Sequence, residues 1–169
     1  YKDFCRMILQ KNHLSVFEHA KATFKISGVS RVLTHQLVRH RLCSFTQKSQ
    51  RYVDESSFDF VVPISFNPDS DMGMKYQHKI NEIKDLYIEL QKAGIPNQDA
   101  RFILPNATTS EIVVTANFRE WRHMIELRTS KHAQWEIRIM MNLILKVLKI
   151  EAPDCFHDFI VDYDLLNMC

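Results

Sequence analysis

Residues 39–52 hold the densest group of side chains able to bind an anion or a planar ring. Three arginines, one histidine, two serines and two glutamines fall within these fourteen residues. The rigid donor fork of arginine matches phosphate oxygens, and serine hydroxyls or glutamine amides can complete an anion pocket. The alternative is a solvated basic face at a helix end, where arginines also interact well with the helix dipole. Because Ser49, Arg51 and Tyr52 supply donors with no helical role, we expect a site for a phosphorylated, planar ligand.

Two further segments carry arginines in informative positions. Arg101, in residues 98–105, is a second candidate for contact with a phosphate. In residues 117–128, Arg119 and His123 are four residues apart and share one face of a predicted helix. Arg128 falls on the opposite, apolar face with Trp121. Its guanidinium would be partly desolvated there unless an anion or a polar ligand meets it.

The types and spacing of three other polar groups do not predict a catalytic or metal-binding role for them. His132 lies near Trp135 and is expected to be a buried, structural histidine. His13 and His19 have no third ligand at a familiar spacing, so no metal is predicted. Cys43 lies near arginines that could lower its pKa, but its surroundings do not resemble those of a cysteine nucleophile, and we expect it to be a packing residue.

Composition limits the class of protein. The chain has 169 residues, 46% of them hydrophobic, and a net charge of only +2, which argues against disorder and against a general binder of polymeric nucleic acid. Its four cysteines form no metal-like pair, so free thiols in the cytoplasm are expected. No apolar run is long enough for a membrane span. Only three glycines occur, and none forms a phosphate-binding loop of the Rossmann or P-loop type. The chain opens at Tyr1 inside a predicted helix, so we expect a missing segment before it.

Hydrophobic periodicity predicts a helix-rich α+β fold with a small mixed sheet, in one domain covering residues 1–169. Gly28 is expected to end the first strand, and Ser30 to cap the second helix. The predicted strands cover residues 22–27, 58–66 and 110–116. The predicted helices cover residues 2–11, 30–41, 69–93, 96–104, 119–127 and 132–150.

Several ordered blocks resemble the flavin-dependent thymidylate synthases from about His13 to Ile150. The Arg-His-Arg triplet, followed after seven residues by a serine, is the most specific of them. Many members have Asn-Glu where this chain has Thr46-Gln47; Gln47 keeps an acceptor and loses the charge. The matching blocks are residues 17–19, 30–31, 36–41, 49–52, 100–101, 104–105, 117, 119, 127–128 and 132–136.

The resemblance implies a homotetramer whose active sites lie where subunits meet. It implies reductive methylation of dUMP to dTMP, with methylenetetrahydrofolate, NADPH and FAD, and without an enzyme cysteine nucleophile. Arg128 would be catalytic, stabilising the ionised pyrimidine N3. The residues implied for FAD are His13, Ser15, Arg39, His40, Arg41, Gln47, Asn117, Arg119 and His123. The residues implied for dUMP are Gln36, Arg39, Gln47, Ser49, Arg51, Arg101 and Arg128.

Two other functions use the same arginines. A non-catalytic module could bind nucleotides or RNA through them, with steep salt dependence. A helical assembly protein could use them only to bridge subunits. Flavin content separates the enzyme from both.

Overall fold

The computed structural model describes residues 2–167 and divides into two compact units. Unit 1 contains the described residues of Tyr1–Lys25, Gln36–Phe45 and Val113–Cys169, and unit 2 contains Ile26–His35 and Thr46–Ile112. The predicted helix-rich α+β class is confirmed. The strands are β1 (Lys21–Ser30), β2 (Ser44–Gln47) and β3 (Thr109–Asn117), and the helices are α1 (Lys2–Gln10), α2 (Arg31–Leu37), α3 (Asp71–Lys92), α4 (Asn97–Ala100), α5 (Phe118–Thr129), α6 (Trp135–Glu151), α7 (Pro153–Phe156) and α8 (Tyr163–Leu166), with 3₁₀ helices at Leu14–Glu18 and Arg101–Ile103.

The three strands form one sheet in the order β1-β3-β2. In unit 1 the Phe118 N–H donates to the Ala20 carbonyl at 2.9 Å, and the Thr23 and Thr115 hydroxyls lie 2.8 Å apart. Residue numbers therefore rise along β1 as they fall along β3, which is antiparallel pairing. The sheet is antiparallel, so the expected mixed sheet is wrong on this point. Antiparallel strands do not need the long crossover connection that a parallel pair requires.

The sequence predicted that Gly28 ends the first strand, and this prediction is wrong. Gly28 has a left-handed φ of +74°, but the strand resumes after it, and β1 continues to Ser30. Glycine reaches this left-handed conformation without a Cβ clash, so the backbone can deviate locally and then resume the strand. A glycine inside an alternating pattern thus marked a local irregularity rather than a strand end.

Ser30 caps α2, as predicted. Its Oγ accepts a hydrogen bond from the Leu33 N–H at 3.1 Å, which satisfies one of the free donors at the helix start. The helix ends at Leu37 rather than near Arg41, and the His40 N–H donates to the Leu37 carbonyl at 3.1 Å in the turn that follows. Arg39 and His40 therefore lie in a turn, where helical periodicity does not set their directions.

The core of unit 1 forms around α5 and α6. Trp121, on α5, is fully buried; its Nε1 donates to the Ala22 carbonyl at 3.1 Å, and the Phe24 ring packs edge-on at 5.1 Å between centroids. Burial of such aromatic surface is a major favourable contribution to folding. Six apolar side chains of α6 are also buried. They are Ile137, Met140, Met141, Ile144, Leu145 and Leu148.

Unit 2 is organised by α3. The Ser70 Oγ accepts from the Gly73 N–H at 3.1 Å and caps the helix, whose Ile80 and Tyr87 are buried. The predicted strand over residues 58–66 is reduced to one antiparallel bridge between Phe60 and Thr108. Within the described residues, every helix is too short or too polar to cross a membrane.

We expect Gly73→Ala to lower the free energy of unfolding, against the helix propensity of alanine. A Cβ at Gly73 would lie 2.2 Å from the Asn67 carbonyl oxygen and 2.7 Å from that of Pro68. Overpacking against backbone costs about 1–3 kcal/mol, whereas alanine gains about 1 kcal/mol over glycine in a helix. Because the contacts are with backbone atoms, we expect the upper part of that cost, about 2–3 kcal/mol, so urea unfolding should show a net loss of about 1–2 kcal/mol. Lys75→Ala, at an exposed position of the same helix, serves as the control. An unchanged Gly73→Ala would contradict the steric argument.

Candidate active site

Arg128 owes its position to the buried face of α5. The Asn117 Oδ1 accepts from the Glu120 N–H at 2.8 Å and begins the helix, and Met124 and Ile125 are fully buried. Arg128 follows them by four and three residues and lies on the same face, as predicted. Its side chain is half-buried, and desolvation lowers the pKa of its guanidinium from the ordinary value.

His40 receives a hydrogen bond from Arg128. The Arg128 Nε donates to the His40 Nε2 at 3.0 Å, and its Nη2 reaches the Gln36 carbonyl at 3.5 Å. Arginine only donates, so the His40 Nε2 must be an acceptor and the neutral ring carries its proton on Nδ1. Burial, and then the charges of Arg128 and His123, lower the pKa of His40 to about 4. The structure thus brings three predicted site residues together and keeps His40 neutral.

Glu120 faces the protonated side of His40. Its Oε1 lies 3.6 Å from the His40 Nδ1, and both residues are 6% exposed. Burial raises the pKa of the Glu120 carboxyl, and the nearby His123 partly opposes this. Sequence reasoning missed Glu120. Its spacing from Asn117 fits a helix-capping pair, which gives a carboxylate at this position an ordinary explanation.

His40, Glu120 and His123 also have the spacing of a metal site. One ligand atom from each lies within 4.8 Å of the others, and this group from the described residues includes neither His13 nor His19. However, the His40 Nε2 already accepts from Arg128, and its Nδ1 carries the proton, so the ring has no free lone pair for a cation. The group is therefore better explained as a hydrogen-bonded network next to a guanidinium.

Cys43 is a packing residue in this network. Its Sγ donates to the Met124 Sδ at 3.6 Å. Burial, and then the Glu120 carboxyl, raise the pKa of Cys43 to about 12. The expectation that arginines close in sequence could lower this pKa is wrong, because the buried surroundings dominate. The thiol stays protonated and is not prepared to act as a nucleophile.

A cavity of about 500 Å³ opens beside Arg128 in unit 1. This volume suits a small organic ligand. His132 is exposed and lines the cavity, so the prediction of a buried histidine is wrong. The lining consists of His123, Glu126, Leu127, Arg128, Ser130, His132 and Ala133.

The other residues implied for FAD in unit 1 lie at the surface. His13, Ser15, Arg39 and Arg41 are exposed, and Arg119 forms an ion pair with Glu18. The carbonyl oxygen of the Asn117 side chain is used in the helix cap, which leaves its NH₂ group as the donor. Guanidinium, imidazole, hydroxyl and amide donors are the chemistry that a pyrophosphate and the polar edge of a flavin require. The donor set therefore fits FAD.

In unit 2, Gln98 links two predicted phosphate ligands. The Arg51 Nη2 donates to the Gln98 Oε1 at 3.4 Å, and the Arg101 Nε donates to the Gln98 carbonyl at 3.1 Å. The Ser49 Oγ accepts from the Arg51 N–H at 3.3 Å. Burial, and then the charge of Arg101, lower the pKa of Arg31, so a third guanidinium lies close enough to Arg101 for the two charges to interact. Sequence reasoning missed Gln98 and did not assign Arg31 a role, since a single polar residue within a short helix carries no distinct signal.

Gln47 is anchored in unit 2 by its amide nitrogen. Its Nε2 donates to the Thr34 Oγ1 at 2.9 Å and to the Ser110 Oγ at 3.2 Å. The Thr34 hydroxyl donates to the Arg31 carbonyl, so it must accept from Gln47, which fixes the amide orientation. The Gln47 Oε1 is therefore the atom left to meet a ligand.

The low pKa of His40 predicts a pH dependence of stability. Between the unfolded pKa of 6.5 and the folded pKa of about 4, only the unfolded state binds a proton, so stability falls as pH falls through this window. Allowing for screening, we expect a loss of about 1–2 kcal/mol between about pH 7 and about pH 4.5. Glu120, with its raised pKa, contributes in the opposite sense.

His40→Gln isolates this contribution because glutamine does not titrate. Urea unfolding across the same range should give a shallower decline in the free energy of unfolding for His40→Gln than for the unsubstituted chain. Equal slopes for the two proteins would mean that His40 does not titrate as the structure implies.

Comparison with known proteins identifies the family. The family model described as thymidylate synthase complementing protein matches residues 1–154. The chain is 41% identical to the flavin-dependent thymidylate synthase of Corynebacterium efficiens, over 94% of this chain and 70% of that protein. It is 43% identical to the protein of the same name from Geobacter sulfurreducens, over 92% and 68% of the two chains. The corresponding protein of Pyrococcus abyssi is 50% identical over 78% of this chain and 55% of its own length.

The match covers unit 2 completely and most of unit 1. It includes the arginines of residues 39–52, Arg101 and the Glu120–His40–Arg128 network. Similarity of this extent does not arise from one shared motif. The chain belongs to the thymidylate synthase complementing protein family.

Proposed function

We propose that the chain is a flavin-dependent thymidylate synthase. It transfers a one-carbon unit from methylenetetrahydrofolate to dUMP and reduces it, with FAD and NADPH, to give dTMP. The observation that carries this proposal is the half-buried guanidinium of Arg128, held through Nε by a neutral histidine beside a ligand-sized cavity. The names of the relatives and the family match support it.

Arg128 stabilises negative charge on the pyrimidine. A guanidinium stays protonated near neutral pH, so it acts by donating hydrogen bonds rather than as a base. With Nε committed to His40, its terminal nitrogens are the donors for the ionised N3 of dUMP. Charge on N3 makes the ring carbon C5 electron-rich, and a preorganised donor of this kind is commonly the largest catalytic contribution. The protonated thiol of Cys43 is consistent with a reaction that needs no cysteine nucleophile.

The arginines of unit 2 bind the phosphate of dUMP. Arg51 and Arg101 are aligned by Gln98, and a rigid guanidinium fork suits phosphate oxygens. Ser49 adds a hydroxyl at the same turn. Gln47 offers its Oε1 to a donor on the nucleotide or the flavin. The remaining residues proposed for dUMP are Gln36 and Arg39.

FAD is held by the exposed donors of unit 1. Arg39, Arg41 and Arg119 supply positive charge, and the amide of Asn117 supplies neutral donors. When bound, FAD provides the redox chemistry of the methylation, and the protein provides binding and orientation. The remaining residues proposed for FAD are His13, Ser15, His40, Gln47 and His123.

The proposed assembly is a cytoplasmic homotetramer with active sites at subunit interfaces. Leu143, Val147 and Ile150 form an exposed apolar stripe on α6, at 50%, 44% and 68% exposure, and such a stripe is typical of a face covered by another chain. The free thiols of Cys5, Cys43 and Cys155 support a reducing compartment. The similarity to named synthases does not favour the alternative of a non-catalytic nucleotide- or RNA-binding module.

We expect Arg128→Ala to lose dTMP formation while retaining flavin. Removing one preorganised charge-stabilising donor costs about 10²–10³-fold in kcat, whereas the residues proposed for FAD remain in place. The measurements are dTMP formation and flavin absorbance per mole of protein. Arg122→Ala on the same helix is the matched control: Arg122 bonds Asp158 and the Cys155 carbonyl, so its loss should lower stability rather than turnover. Near-normal turnover of Arg128→Ala would remove Arg128 from the mechanism, and a colourless protein that takes up no added FAD would count against the cofactor.

We expect Arg101→Ala to raise the KM for dUMP by more than about tenfold, with a smaller effect on kcat, because a phosphate contact distant from the reacting carbon contributes mainly uniform binding. Steady-state kinetics at varied dUMP measures both constants. Lys92→Ala, at an exposed cation of unit 2, controls for a general change in charge. Equal KM values for Arg101→Ala and Lys92→Ala would rule out a specific phosphate contact at Arg101.

A further inference from the structure

The buried carboxyl group of Glu120 has no role in the reaction described above. It lies on α5 two turns before Arg128, is 6% exposed, and belongs to a helix whose other buried residues are apolar. A carboxyl group placed among apolar residues costs free energy unless a specific partner compensates for it. Its position therefore calls for a partner, and the partner is identifiable.

Helix capping does not account for the side chain. In a capping box, a glutamate at this position reaches back to the backbone N–H of the capping residue. Here the Asn117 side chain accepts from the Glu120 N–H, but the Glu120 carboxyl instead faces the His40 ring. The cap is formed without the carboxyl group, which leaves the carboxyl free for another task.

The His40 ring has one proton and one lone pair, and each faces a different residue. The Arg128 Nε–H occupies the Nε2 lone pair at 3.0 Å, so the proton lies on Nδ1, where the Glu120 Oε1 is 3.6 Å away. This separation is longer than a formed hydrogen bond, and a shift of under about 1 Å by either side chain closes it. The opposite tautomer would place an N–H of His40 against the Nε–H of Arg128 and would push the guanidinium away.

We propose, on the basis of the function proposed above, that Glu120 is a positioning residue for Arg128 and acts through His40. Its carboxyl oxygen accepts the Nδ1–H and selects the tautomer whose Nε2 accepts from Arg128. The arginine is thereby held at Nε, and its terminal nitrogens keep a constant direction. A carboxylate orients a catalytic side chain through histidine in the same physical manner in hydrolase triads.

The other polar groups near the Glu120–His40–Arg128 network do not replace Glu120. His123 contacts the pair from the same helix as Glu120, with ring centroids 6.2 Å from His40, but it is exposed. Cys43 stays protonated and donates to Met124. Among the described residues near the His40 Nδ1, the Glu120 carboxyl is the acceptor that the structure provides.

The first experiment reads the tautomer directly. In the chain labelled with ¹⁵N at histidine and arginine, long-range ¹H–¹⁵N spectra should assign the His40 proton to Nδ1, and the Arg128 Nε–H should exchange slowly with solvent. In Glu120→Leu, which keeps a similar volume, the His40 spectrum should shift to a mixture of tautomers and the Arg128 signal should exchange faster. Glu120→Gln retains an acceptor oxygen and should keep the original tautomer. An unchanged spectrum in a folded Glu120→Leu would overturn the proposal.

The second experiment measures the consequence for turnover. We expect Glu120→Leu to lower kcat about tenfold, with a smaller change in the KM for dUMP, and Glu120→Gln to restore kcat to within about threefold of the starting value. In an Arg128→Lys background there is no Nε donor for His40 to orient, so adding Glu120→Leu should lower kcat by no more than about twofold further. A full tenfold loss in that background would show that Glu120 acts elsewhere and would overturn the proposal.

The two experiments separate this inference from the proposed function. If the unsubstituted chain forms no dTMP, the proposed function fails, while the spectra still test whether Glu120 selects the tautomer. If dTMP forms and the spectra do not respond to Glu120→Leu, only the positioning role fails. Circular dichroism of each variant establishes that it is folded, and Glu120→Ala, which also lacks the acceptor oxygen, replaces Glu120→Leu if that variant does not fold.

Discussion

The candidate site depends on the fact that arginine can only donate hydrogen bonds. Because the Arg128 Nε–H meets the His40 Nε2, the histidine must present a lone pair there and stay neutral. Neutrality requires that the ring be shielded from water, and the burial of His40 provides this. The direction of the guanidinium, the protonation of His40 and the position of Glu120 are thus consequences of one contact.

That contact is available only because the apolar face of α5 is fully buried. Trp121, Met124 and Ile125 fix the rotation of the helix, and Arg128 continues their face to its end. The arginine is consequently half-buried and lines a cavity rather than extending into solvent. Partial desolvation strengthens its electrostatic interaction with a ligand, and the adjacent histidine stabilises it without neutralising its charge.

Unit 2 uses the same chemistry with a different geometry. Gln98 accepts from Arg51 through its side chain and from Arg101 through its backbone, so one residue aligns two cations that would otherwise repel each other. Gln47 is also fixed by hydrogen bonds: two buried hydroxyl groups accept from its amide nitrogen, and its oxygen remains for a ligand. Neutral amides therefore organise charged groups where a carboxylate would form an ion pair and compete with a phosphate.

Local pattern determined most of the helices, the cap at Ser30 and the helical face on which Arg128 lies. These features follow from contacts within a few residues, and periodicity reports them directly. Local pattern was misleading at Gly28, where β1 continues, and after Leu37, where α2 ends early, because pairing with β3 and the turn geometry decide those positions. Apart from Glu120 and Gln98, the residues of the candidate site were recognisable from their types and their order along the chain. Three contacts required the tertiary structure: His40 accepts from Arg128, Glu120 faces His40, and Gln98 accepts from Arg51. Each joins residues that are far apart in the sequence, and local pattern does not predict such pairs.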